Sequence, residues 1–215
     1  MNYHLKRVPA VPPVAEPLLL SDVKLHVRAP DVSDAAQDAY LTNLIKAARR
    51  WCEDFTSRCF IEQTWDLLLP NGFPSSQPFM LSSNEIRIPR VPLKTTSGIT
   101  HVKYLDSNGA QQTLAAGTDY VVQSRGEPAI VLPTYGKSWP ATRAWADANG
   151  NYPVELRFIA GYGTAGTSVP ETFRQAMLLL IGHWYENREE ASEVALAQVP
   201  MAAEALLWME RFHPW

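Results

Sequence analysis

The chain has 215 residues, 46% of them hydrophobic and only 19% charged, with a net charge of −3. That balance excludes wholesale disorder, and it argues against tight non-specific nucleic-acid binding, which needs clustered cations to displace counterions. A chain of this length buries about 70% of its unfolded surface, enough for a core without metal or disulfide staples. No apolar stretch approaches the ~20 residues needed to cross a bilayer. No apolar signal-peptide segment opens the chain, so a soluble, intracellular protein without membrane contact is expected.

Residues 1–17 carry Pro9, Pro12, Pro13 and Pro17 and read as an extended N-terminal arm, free of helix and of strand pairing. Ser21 follows Leu18-Leu19-Leu20 and is expected to cap a short helix running to about Val27, stopped by Pro30. Asp34 can cap a second helix on which Tyr40, Leu41, Leu44, Ile45, Ala48, Trp51, Cys52 and Phe55 recur at helical spacing. Lys46, Arg49, Arg50 and Glu53 fall on the other face, where a solvated charged flank is the default. If Cys52 and Cys59 shared that helix, about 10 Å would separate them, too far for a disulfide. With no zinc-type spacing nearby, both read as reduced structural thiols.

From residue 61 to 160 the period changes. Gln63–Leu69, Glu85–Ile88, Ile99–Leu105, Gln112–Leu114, Asp119–Gln123, Ala129–Leu132 and Val154–Ala160 read as short strands between turn signals. Asp106-Ser107-Asn108-Gly109 supplies a tight hairpin turn. Frequent prolines favour edges and bends, and two long loops are expected, near 70–84 and 133–152. Helix returns after a capping-box pattern, Ser168-Val169-Pro170-Glu171. Phe173, Ala176, Met177, Leu180, Ile181 and Trp184 then line one side of a helix continuing to about Glu190. A last short helix is expected over about Met201–Glu210.

The order helices, strands, helices predicts an α+β fold: a helical bundle from residues 18–60 and 168–210, with a small antiparallel β-domain, 61–160, inserted. Residues 161–167 form a Gly-rich hinge and 211–215 a C-terminal tail.

Candidate chemistry is sparse. Gly161-Tyr162-Gly163-Thr164-Ala165-Gly166 matches a dinucleotide fingerprint in letters. The expected helix starts too late for these glycines to form its first turn, and no βαβ unit surrounds them, so a flexible connector is expected. His183, Glu186 and Glu190 share a helical face, yet no second helix supplies the other half of a carboxylate–histidine metal site. No nucleophile elbow occurs, and the histidines lie in unrelated contexts. No catalytic, cofactor or metal residue is therefore expected. What stands out is seven tryptophans, a residue type enriched at interface hot spots. Trp139 and Trp145 sit in a long loop, as candidate subunit contacts. Trp208, Phe212 and Trp215 cluster at the end, as a candidate partner interface.

An ordered set of segments resembles the head–tail connector (adaptor) proteins of tailed bacteriophages, in their larger subgroup with a β-insert. The opening is carried by Leu20-Ser21-Asp22-Val23-Lys24-Leu25-His26-Val27-Arg28 and Leu44-Ile45-Lys46-Ala47-Ala48-Arg49-Arg50-Trp51-Cys52-Glu53. Ile88-Pro89-Arg90-Val91-Pro92-Leu93 and Phe158-Ile159-Ala160-Gly161-Tyr162-Gly163 resemble the middle. Val169-Pro170-Glu171 and Ile181-Gly182-His183-Trp184-Tyr185-Glu186-Asn187-Arg188-Glu189 resemble the C-terminal helix. The likeness spans roughly residues 18–210. It implies a non-enzymatic virion protein, assembled in the host cytoplasm, that forms a ring, commonly a dodecamer, under the portal protein. Such a ring extends the DNA channel, without binding DNA specifically, and receives a tail or stopper protein. Within it, Glu186, Glu189, Glu190 and Glu193 are candidates for an acidic lumen. A stand-alone ligand-binding α+β module is the alternative.

Overall fold

The computed structural model describes residues 3–8, 15–29, 34–74, 84–147, 149–187 and 200–213. The chain divides into two compact units, residues 1–12 with 62–161 and residues 13–61 with 162–215. One is built of strands and the other of helices, so the fold class is α+β.

The β unit holds two antiparallel sheets. Its strands are β1 (His4–Arg7), β2 (Gln63–Leu69), β3 (Ile86–Arg87), β4 (Ile99–Leu105), β5 (Gln111–Leu114), β6 (Tyr120–Gln123), β7 (Ile130–Pro133) and β8 (Val154–Ala160). Five form a sheet in the order β1-β2-β8-β4-β5, and three form another in the order β3-β7-β6. In the middle strand β8, strict alternation buries Val154, Leu156, Phe158 and Ala160. Leu156 lies between Leu67 of β2 and Val102 of β4, both also buried. The opposite face of the same strands is polar. Arg157 donates to both carboxylate oxygens of Asp66 at 2.6 and 2.9 Å, and His101 meets Glu155 at 2.8 Å.

Strand β1 corrects the reading of residues 1–17 as an unpaired arm: His4–Arg7 runs antiparallel to β2, with Leu5 opposite Leu67. The prolines begin only at Pro9, so every N–H before it is available for a ladder. The long loop near 133–152 contains a turn built like the expected hairpin. Asp147 repeats what Asp106 does in the expected hairpin. Oδ1 of Asp106 accepts from the N–H groups of Asn108 and Ala110 at 2.9 and 3.0 Å. Oδ1 of Asp147 accepts from those of Asn149 and Asn151 at 2.9 and 2.8 Å.

The helical unit comprises α1 (Leu20–His26), α2 (Ala35–Thr56), α3 (Glu171–Glu186) and α4 (Met201–Trp208). Its core joins Leu41, Ile45, Ala48 and Cys52 of α2 to Phe173, Ala176, Met177, Leu180 and Ile181 of α3, with Ala203 and Leu207 of α4. Asp34 caps α2 as expected, accepting from the N–H groups of Ala36 and Gln37. The other two expected caps are absent. Helix α1 starts after Leu19, and the Ser21 hydroxyl turns to Asp22 instead. Ser168 belongs to a short 3-10 turn, Gly166–Ser168, and α3 starts after Pro170 without a side-chain cap.

The charged flank of α2 is also not what the helical wheel implied. Arg49 and Glu53 are buried, at 7% and 6% exposure. Arg49 donates to Glu16 at 2.7 and 3.3 Å and to Glu53 at 2.8 Å, and the other Glu53 oxygen accepts from the Phe60 N–H at 2.8 Å. Cys59 lies beyond the end of α2, and both cysteines are buried thiols outside any disulfide.

Candidate docking surface

The ends of α2 and α4 build an aromatic patch, to which α2 gives two residues that the helical period places one turn apart. Trp51 and Phe55, one turn apart on α2, stack at 5.1 Å. Trp208, the last residue of α4, meets Phe55 edge-on at 6.1 Å and His213 face-on at 6.0 Å. Arg211 lays its guanidinium over both rings, 4.9 Å from Phe55 and 5.0 Å from Trp208, a cation–π clamp. Two backbone anchors fix the segment after α4. The Phe212 N–H donates to the Thr56 carbonyl at 2.9 Å, and Arg58 donates to the Glu210 carbonyl at 2.6 Å. Trp208 nevertheless remains 51% exposed, and Met209, next to it in the chain, is 79% exposed. Aromatic, arginine and methionine side chains held rigid but half uncovered are the composition of an interface core.

Of the residues singled out in the sequence, Trp208 lies in this patch, Phe212 is anchored to the end of α2 through its backbone N–H, and Trp215 lies outside the described residues. Trp51, Phe55 and Arg211 were missed. On the helical stripe Trp51 and Phe55 read only as core, although their i, i+4 spacing beside an aromatic C-terminal segment is the available signal.

Trp139 and Trp145 part company. Trp139 stacks flat on Phe73 at 4.6 Å and donates its indole N–H to the Asn84 carbonyl at 2.7 Å. Trp145 is 79% exposed. Glu186 is exposed at the last position of α3. Glu189, Glu190 and Glu193 lie outside the described residues. His183 faces Asn187 at 3.1 Å, and no group of three metal-capable side chains occurs among the described residues.

The glycine run leaves β8, which is antiparallel to both its neighbours, and α3 starts only at Glu171. A phosphate cradle at the helix N-terminus is not formed by these glycines. Gly163 is not in a left-handed conformation; a Cβ there would lie 2.6 Å from the Ser168 hydroxyl. No described helix is long and apolar enough to cross a membrane.

No protein-family model matches the chain, and no curated sequence does. Solved structures do match. A chain from the neck of an empty gene transfer agent particle, computed with C6 symmetry, superposes with a TM-score of 0.72 at 22% identity. That match covers 97% of this chain and 95% of the other. The fold is that of a neck chain. A chain of the neck of the native particle, computed with C12 symmetry, gives a TM-score of 0.64 at 25% identity over 97% and 94% of the two chains. One from the virion of the native particle gives 0.66 at 24% identity over 96% and 94%. These neighbours agree with the connector resemblance, and they lend nothing to a stand-alone ligand-binding module.

Proposed function

We propose that this chain is a structural subunit of a virion neck: a ring-forming connector between a DNA-filled head and a tail. The observation that carries this reading is the match along nearly the whole chain, both units included, to chains of necks computed with C6 and C12 symmetry. The partners are neighbouring copies in the ring, a portal protein on the head side and a tail or stopper protein on the other. The Trp208–Arg211–Phe212 patch, with Trp215 beyond it, is the surface offered to the portal. Trp145 serves contacts between subunits, while Trp139 holds its loop in shape against Phe73. Glu186, Glu189, Glu190 and Glu193 supply acidic charge toward DNA that passes without being bound. Residues 161–167 act as a hinge. The chain carries out no chemical step of its own.

Mixing the purified protein with portal-bearing, tail-less heads tests this. Imaging is expected to show a ring of additional density beneath the portal, and the treated heads are expected to accept tails. Heads that remain bare at micromolar protein would overturn the reading.

A further inference from the structure

Each sheet of the β unit has two edges, and the chain treats them unequally. An edge strand presents unpaired N–H and C=O groups that invite another strand, and natural proteins block it with charge, proline or brevity. Edge β1 carries His4, Lys6 and Arg7. Edge β3 is two residues long, one of them Arg87, and Pro89 follows shortly. The opposite edges, β5 (Gln-Gln-Thr-Leu) and β6 (Tyr-Val-Val-Gln), contain neither charge nor proline. Val121 and Val122 of β6 are each 37% exposed.

The ladders show which groups these two edges offer. Tyr120 pairs with Pro133, which has no N–H, and the Tyr120 carbonyl accepts from Gly117 at 2.8 Å instead. Tyr120 is therefore a non-hydrogen-bonded position. By alternation Val121 and Gln123 bond to β7, while Val122 turns both its N–H and its C=O outward. In β5 the reference point is the Asp106 N–H, which donates to the Ala110 carbonyl at 3.0 Å. Counting from there, Gln112 and Leu114 bond to β4, and Gln111 and Thr113 face outward. Among the described residues no loop hydrogen bond reaches the outward groups of Thr113 or Val122.

We propose that β5 of one copy and β6 of the next pair antiparallel, Thr113 opposite Val122, so that strand addition joins the copies head to tail. The inference rests on the ring reading and names a contact that builds the ring. A second copy is the occupant because one chain carries both halves, matched in length, free of charge to desolvate and with outward groups at the same two-residue spacing. Pairing two unlike edges leaves one of each free at the ends of any open chain of copies, which is the condition for a closed ring. Two β6 edges pairing with each other would instead end at a dimer and leave β5 bare.

The test uses Thr113→Pro and Val122→Pro. At both positions the lost N–H points away from the chain's own ladder, so the intramolecular sheet is kept. By mass photometry, alone and on portal-bearing heads, each variant is expected to lose the ring. An equimolar mixture is expected to form a dimer and nothing larger, because only one competent edge pair remains. In wild-type rings the amides of Thr113 and Val122 are expected to exchange at least 100-fold more slowly than in the monomer, a readout that stands even if a variant misfolds. Rings formed by either variant as by wild type, or monomer-rate exchange at both amides within rings, would overturn this contact and leave the ring reading standing. A wild-type chain that stays monomeric under every condition, heads included, would overturn both.

Discussion

Arg49 shows what a single residue can hide from a sequence reading. Its place on α2 is the one the period gives, yet it is buried, because Glu16 from the segment before α1 reaches over it and Glu53 lies one turn away. Burial pulls the guanidinium pKa down, but hydrogen bonding and charge from Glu16 and Glu53 outweigh that and leave it raised. Arg49→Leu keeps the volume roughly constant and takes the guanidinium away from the buried Glu53 carboxylate. The expected loss is about 3–5 kcal/mol, measured by urea unfolding; a loss below about 1 kcal/mol would mean the triad does not hold the helical unit together. Three half-buried loop aspartates act differently. Bonds from the Ala110 N–H to Asp106, from the Ala115 N–H to Asp119 and from the Asn151 side chain to Asp147 lead the causes that hold these carboxyls below the usual range. A depressed folded pKa gives stability that is present above the unfolded value of about 3.9 and lost as pH falls through the folded one. Melting temperature is therefore expected to decline below about pH 4, and Asp106→Asn with Asp147→Asn should flatten that decline relative to wild type.

At the scale of elements, what was legible is what repeats locally. The strands from Gln63 to Ala160 were readable because apolar and polar residues alternate and turn residues separate them; α2 and α3 were readable from their 3.6-residue stripe. Strand β1 was not, since four residues next to a proline-rich stretch carry no pattern until β2 is there to pair with them. The caps failed for a related reason: Ser21 and Ser168 have the right residue type, but the helix start is set by packing rather than by the hydroxyl. In the glycine run, Gly166 answers to backbone distant in sequence, a constraint that its own neighbours do not announce. A Cβ on Gly166 would lie 2.5 Å from the Glu16 carbonyl oxygen and 3.0 Å from that of Pro17. Gly166→Ala is expected to cost about 1–3 kcal/mol by forcing backbone apart. Gly126→Ala, which meets nothing within 4 Å, is the control that should leave stability unchanged. Equal melting of the two variants would show that the 166 contact yields freely.

For the molecule as a whole, the question is whether the aromatic end of the helical unit serves folding or docking, and the structure says that truncation cannot answer it. Removing the residues after Trp208 would take away the Phe212–Thr56 and Glu210–Arg58 bonds along with the exposed surface. A point substitution separates the two roles because Trp208 is half outside the core while its neighbour Leu207 is fully inside it. In Trp208→Ala the fold loses an edge-on contact with Phe55 and one side of the Arg211 clamp. That should cost about 1 kcal/mol, or a melting shift of about 2–4 °C in a chain of this size. If the patch is the docking surface, the same change removes a central anchor and should weaken binding to portal-bearing heads by about 2 kcal/mol or more, roughly 30-fold. Leu207→Ala reverses the pattern, with a large loss of stability, about 2–5 kcal/mol, and heads still bound by whatever fraction remains folded. Titrating each variant onto heads, at a temperature where Trp208→Ala is fully folded, reads the two quantities separately. Undiminished affinity of Trp208→Ala for heads would move the docking surface elsewhere on the chain and leave these rings as the outer edge of the helical core.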